Sequence, residues 1–231
     1  MKNFLCLKKV FSQKTSALLL LAFSLLIALF CGGCKKEIDY LDYVSELRSN
    51  ILLAEKDGFS LRVYAVKKET PYICNGIPAE ISDRAEIYLT APASDKEYLL
   101  SFTVDGKNYG GDLSFDNVKT EYYYACALDL SQTQEIPFTI RYGENELTLT
   151  ATSVRTEKTL APKNVLQTLT TEENALFESL TDEYGFAGEI YLRLIYEDFP
   201  YYYVGVIDRN GQTNAFLING ETGKIIAKRR P

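Results

Sequence analysis

Two runs of three tyrosines, Tyr122-Tyr123-Tyr124 and Tyr201-Tyr202-Tyr203, are the side chains in this sequence best suited to hold another molecule. Along a strand, neighbouring residues point to opposite faces, so each run must turn at least one ring outward. A phenol offers rigid apolar area and a polar tip, which suits a peptide or a glycan. Tyr122, Tyr124, Tyr201 and Tyr203 are therefore the candidate ligand contacts. The same residues also serve strand formation and cross-strand pairing, with no ligand involved.

Covalent chemistry finds little to work with. The chain has no histidine, which excludes Ser-His-Asp and Cys-His sites, the HExxH zinc site and any imidazole acid or base. There is no Ser-x-x-Lys, no GxxxxGK[ST] and no GxGxxG. The acidic pairs Glu172-Glu173, Asp182-Glu183 and Glu197-Asp198 match neither a calcium loop nor a defined carboxylate separation. They read as solvated surface. The expectation is a protein that is not an enzyme and takes no cofactor and no metal.

Residue types near the start set an address. Lys2, Lys8, Lys9 and Lys14 precede an apolar run over 17–30 that only Ser24 interrupts, and Gly32-Gly33-Cys34 follows. A basic region, an apolar region and a small-residue end make a secretory signal. The run is shorter than the ~20 residues a membrane-spanning helix needs. Small residues before Cys34 resemble a bacterial lipobox, although Cys31 stands where Leu is usual. That resemblance makes Cys34 the lipidation site and the first residue after cleavage. An ordinary signal cut near Gly33, or an uncleaved anchor, has the same general layout. A diacylglyceryl group supplies two chains, and Lys35-Lys36 would lie against anionic headgroups.

The chain carries 25 basic and 31 acidic residues, net −6; residues 1–33 hold four of the lysines and no acid, so the remainder carries −10. Such a charge disfavours nucleic acid, which is gripped by basic patches. It suits a domain outside the cytoplasm. Of five cysteines, Cys6 and Cys31 leave with the signal and Cys34 takes lipid. Cys74 and Cys126 could pair in an oxidising compartment, or Cys126 could sit as a small apolar residue.

These residues must be held by short strands. Residues 38–53 fit helical and strand spacing equally. Strands are expected at 59–66, 84–90, 97–104, 109–115, 120–130, 136–142 and 146–154, separated by turn signals such as Asp57-Gly58 and Asp105-Gly106. That rhythm indicates an all-β sandwich of immunoglobulin-like type. After a connector at 156–163, a helix is expected from an N-cap at Thr171, with Leu176, Phe177 and Leu180 as its apolar stripe. Four strands follow at 189–196, 201–208, 212–219 and 224–229, giving a helix over an antiparallel meander. The organisation is a signal at 1–33, a lipidated Cys and tether at 34–40, a β-sandwich domain at 41–155, a linker at 156–163 and an α+β domain at 164–231.

The last strands, AFLINGETGKIIAKR, carry Asn219, Thr222, Gly223 and Ile225 in the Asp/Asn-x-x-Thr-Gly-x-Ile turn. This ending resembles PepSY-type domains, and helix-then-meander order agrees with them. With the signal, the whole chain resembles lipoproteins of Gram-positive, clostridial type. The resemblance implies a surface-anchored module of the kind associated with peptide or protease regulation, and it transfers no catalytic residues. The expected role is non-enzymatic binding or regulation of an envelope protein, peptide or other envelope ligand, at the outer face of the cell membrane. The alternative is a structural or assembly factor of an envelope complex.

Overall fold

The computed structural model describes residues 38–69 and 80–231. The expected signal at 1–33, Cys34 and Cys74 lie outside them. The chain from Asp39 to Pro231 is one compact unit. A 3-10 turn, Tyr40–Tyr43, leads into β1 (Val44–Lys56) and β2 (Phe59–Glu69). Then come β3 (Ile81–Thr90), β4 (Leu99–Val104), β5 (Lys107–Asp112), β6 (Ser114–Asp116), β7 (Glu121–Cys126), β8 (Glu135–Tyr142) and β9 (Asn145–Ser153). Two helices follow, α1 (Pro162–Glu172) and α2 (Asn174–Ser179). The remainder is a small hairpin, β10 (Thr181–Asp182) and β11 (Gly185–Phe186), and the strands β12 (Glu189–Tyr196), β13 (Pro200–Ile207), β14 (Thr213–Asn219) and β15 (Ile225–Arg229).

The fold is mainly β and sandwich-like, and β1 is its hinge strand. The N-terminal half of β1 pairs with β12 in parallel, Leu47 beside Leu192 and Arg48 beside Arg193. Its C-terminal half pairs with β9, Leu52 beside Ser153. The large sheet therefore runs β15-β14-β13-β12-β1-β2-β3-β7-β6 without a break. Segments 41–155 and 164–231 share this sheet as well as the connector.

One face of the sheet is covered in two ways. Over β1, β2, β3 and β7 lies a second layer of β5-β4-β8-β9, and the two enclose a core that includes Leu61, Ile87, Leu100, Phe138 and Leu149. Over β12 to β15 lie α1 and α2. Val165, Leu169 and Phe177 of the helices and Leu192, Val204 and Phe216 of the strands are at most 1% exposed. Burying each such side chain is worth ~1.5–3 kcal/mol. Tyr40 and Tyr43 pack edge-on against Phe186, and Tyr40 also against Phe177, so the first turn of the unit is pinned to this helical end.

β1 settles the ambiguous stretch as a strand, and its irregularity explains the ambiguity. The ladder with β2 shifts register between Arg48 and Asn50. Before the bulge Leu47 faces inward; after it Asn50, Leu52 and Ala54 do. A bulge reverses the parity, so neither alternation nor helical spacing fits throughout. Asn50 is fully buried there. Its amide donates to the carbonyls of Leu130 (3.0 Å) and Thr133 (2.8 Å), and its Oδ1 accepts from Ile51 N and Ser153 Oγ.

The helix is corrected at its start. It begins at Pro162, and Thr171 is in its last turn. The Ala161 cap position has no side-chain hydrogen bond, so the usual Ser/Thr/Asp/Asn signal is absent. Pro162 at N1 was the legible cue. Thr168 and Thr171 donate back to the carbonyls of Asn164 and Gln167, which satisfies their hydroxyls within the helix. The residues Leu176 and Phe177 belong to α2 instead. Glu173, between the helices, is not solvated surface. It is 6% exposed and paired with Lys228 and Arg230, which fixes the basic end of β15.

Tyr202 shows how the two layers lock. Its ring is fully buried between sheet and helices, and its hydroxyl donates to Leu160 O at 2.8 Å. Burial pushes the phenol up to about 12. A folded value above the unfolded one favours the neutral ring. The stabilisation is whole below about pH 10 and is lost as pH rises towards 12, by at most ~1.4 kcal/mol per pH unit for one phenol. Denaturant unfolding at pH 9 and pH 11 should show this decline. Tyr202→Phe should flatten it by one group's share; an unchanged slope would exclude Tyr202 as its source.

The turn 219–225 is built by its own side chains. Asn219 Oδ1 accepts from Glu221 N and Thr222 N, and Thr222 Oγ1 accepts from Lys224 N. Gly223 holds φ +74°, and a Cβ on Gly220 would stand 2.5 Å from Pro200 O. Local backbone demands account for Asn, Thr and both glycines in this motif.

Candidate ligand-binding face

The opposite face of the large sheet has no layer over it among the described residues. Register places its side chains. In β2, the inward set Phe59, Leu61, Val63 and Ala65 leaves Arg62, Tyr64, Val66 and Lys68 on the open side. Tyr64 pairs with Glu86, and Tyr88 with both Arg62 and Tyr123. Tyr64, Tyr88 and Tyr123 thus form a diagonal ladder, with ring centroids 5.5 and 5.1 Å apart. Such spacing stabilises aromatic pairs beyond simple burial.

Charges frame the ladder. The Arg48 guanidinium lies 4.1 Å from the Tyr64 ring centroid, and Lys119 lies 5.6 Å from that of Tyr88. Arg193 makes a two-pronged contact with Glu46 and stacks on Tyr191. The Glu46 contact raises the Arg193 guanidinium above its usual range. Lys68 pairs with Glu86 at 2.6 Å, and Arg62 pairs with Glu121. Burial, and then the Glu86 carboxylate, hold the Tyr88 phenol well above its ordinary value. Its hydroxyl is directed at Glu86 Oε2, 3.5 Å away.

One cleft of about 440 Å³ is lined by Glu189 and Tyr191 of β12, Ser45 and Glu46 of β1, Lys68 of β2, Glu86 of β3 and Tyr123 of β7. The cleft spans side chains from five adjacent strands of the face. A second cleft of about 590 Å³ opens beside Tyr64, and a third of about 250 Å³ beside Tyr88 and Tyr123.

The four tyrosines expected from sequence divide. Tyr201 and Tyr203 stand half-buried on the open face, further along at β13, with Tyr203 beside Arg193 in the ladder. Tyr122 and Tyr124 point into the sandwich. Tyr122 is 4% exposed and donates to Lys96 O; Tyr124 donates to Gly110 O at the rim of the core. Within that run Tyr123 is the outward ring. Alternation guarantees one outward ring per run without telling which. Tyr64 and Tyr88 were legible from their position opposite Leu61/Val63 and Ile87/Leu89.

Cys126 is half-buried against the core, and burial raises its thiol. Its possible partner Cys74 lies outside the described residues. Among the described residues no three acidic or cysteine side chains gather as a metal site, and no helix is long and apolar enough to cross a membrane. No family model, curated protein or solved structure matches this chain.

Proposed function

We propose that this protein is an extracytoplasmic lipoprotein, anchored through lipid on Cys34, that binds a polypeptide partner on the open face of its large sheet and performs no reaction on it. One observation carries the reading: a five-strand face, uncovered among the described residues, carries a tyrosine ladder inside a frame of both charge signs. A protein with no use for that face would expose fewer rings, since uncovered aromatic area invites association. Mixed charges suit a polypeptide better than a polyanion. In this reading 41–155 is an immunoglobulin-like sandwich and 164–231 a PepSY-like unit, supported by the helices, the four-strand meander and the Asn219 turn.

The anchor has its own test. Cys34→Ala should move the protein from the membrane pellet to the soluble fraction, or leave it as unprocessed precursor. It should also abolish incorporation of labelled fatty acid. Labelling that persists in Cys34→Ala would refute the assignment. For the binding role, cells are cross-linked and the full-length chain is recovered by affinity tag for mass spectrometry. The expected outcome is one abundant polypeptide partner. Recovery of wall glycan alone would contradict the choice of ligand.

A further inference from the structure

The cleft beside Tyr64 holds a cation without a carboxylate. Arg62, Lys68, Arg84 and Arg193 on this face each have an acidic partner. Arg48 makes no ion pair among the described residues; its Nε is buried with no hydrogen-bond partner. What holds the guanidinium is the face of Tyr64, a contact that leaves its in-plane donors undirected. Arg48 lies at the bulge of β1, beside Arg193 in the ladder, so the backbone places it firmly.

The floor next to Arg48 is apolar. Ile51 sits opposite Tyr64 in the ladder, Leu53 opposite Arg62, and Ile195 of β12 completes the patch. Glu55 and Glu197 stand elsewhere on the lining, with Ser60. A planar fork of donors over an apolar patch matches a carboxylate attached to an apolar side chain. The two acids disfavour a second negative charge and accept from amide N–H groups.

We propose that this cleft captures the C-terminal carboxylate of an extended peptide whose last residue is apolar. Arg48 takes the carboxylate, Ile51, Leu53 and Ile195 take the terminal side chain, and Glu55 and Glu197 take main-chain N–H groups upstream. The proposal rests on the open face being a polypeptide-binding surface and names which end of the polypeptide it reads. A fatty acid shares the head-and-tail chemistry but leaves both acids without a donor.

The test uses the full-length protein in detergent and a fluorescent pool of six-residue peptides ending in Leu, Ile, Val or Phe. A second pool differs in being amidated at the C terminus. The free-acid pool should bind at least ~10-fold more tightly in anisotropy titrations. Arg48→Ala should abolish that difference, and Arg48→Lys should restore part of it. Arg48→Ala breaks no ion pair and removes only the stacking on Tyr64, so its melting temperature should fall by no more than a few degrees. Equal binding of acid and amide pools overturns the carboxylate role while leaving the polypeptide-binding face intact. Failure of both pools to bind, or displacement of the acid pool by laurate at equal concentration, also overturns it.

Discussion

Asn50→Ala should lower the unfolding free energy by about 3 kcal/mol, the largest effect expected for a substitution that removes so few atoms. The amide donates to Leu130 O and Thr133 O and accepts from Ile51 N and Ser153 Oγ, all at a position with no solvent exposure. Alanine leaves two carbonyls and two donors in the interior without this partner. A buried polar group left unpaired costs ~1–3 kcal/mol, and partial relaxation keeps the total below the simple sum. The place matters as much as the count. At this bulge β1 stops pairing with β12 and starts pairing with β9, so loosening it frees the loop 130–133 and the end of β9 together. For a domain of this size the melting temperature should fall by roughly 6–12 °C. Ser153→Ala, which removes one of the four contacts, should cost about 1 kcal/mol. Equal losses from the two variants would show that the amide network is not what holds this corner.

Removing two rings of the tyrosine ladder should have the largest effect on binding. Tyr88→Ala combined with Tyr123→Ala takes away the ring shared by the clefts of about 440 and 250 Å³, Tyr123, and its neighbour Tyr88, which lines the smaller one. Hot-spot tyrosines at the centre of an interface cost ~2 kcal/mol or more each on truncation, which amounts to several hundred-fold for the pair, about 700-fold if the losses add. The rings lie outside both cores, so the fold should survive with a loss of ~1–2 kcal/mol from their mutual contact. Tyr122→Ala serves as the contrast. That ring is packed in the sandwich, so its loss should lower stability by ~3 kcal/mol or more while leaving the partner's affinity for the folded protein unchanged. Recovery of the partner by the Tyr88/Tyr123 variant at the usual yield would remove the ladder from the interface.

Much of the strand pattern was legible because alternation is local. The inward set Phe59, Leu61, Val63 and Ala65, the turns at Asp57-Gly58 and Asp105-Gly106, and the four-strand meander all follow from neighbours in sequence. What was hidden depended on distant partners. Nothing near Val44 signals that β1 will meet β12 in parallel, some 147 residues on by the Glu46–Arg193 contact. The bulge before Asn50 broke the parity that would have marked β1 as a strand. Helix α1 lacks a side-chain cap, and three of its residues, Thr168, Thr170 and Thr171, are poor helix formers, so neither capping nor propensity marked it. On the candidate face, tyrosine content pointed to Tyr201 and Tyr203, which lie on the open side, and to Tyr122 and Tyr124, which turn into the sandwich. Tyr64, Tyr88 and Tyr123 are separated in sequence and meet through the pairing of β2, β3 and β7.

On the proposed reading, a polypeptide partner sits on the open face of the sheet. The most direct measurement is photo-cross-linking in living cells, with a benzophenone amino acid placed in turn at Tyr123, at Tyr203 and at Glu144, a residue in the β8–β9 turn and away from the face. Illumination should yield one discrete cross-linked polypeptide from Tyr123 and Tyr203 and none from Glu144. The same band from Glu144, with none from either tyrosine position, would contradict the claim and move the interface off this face.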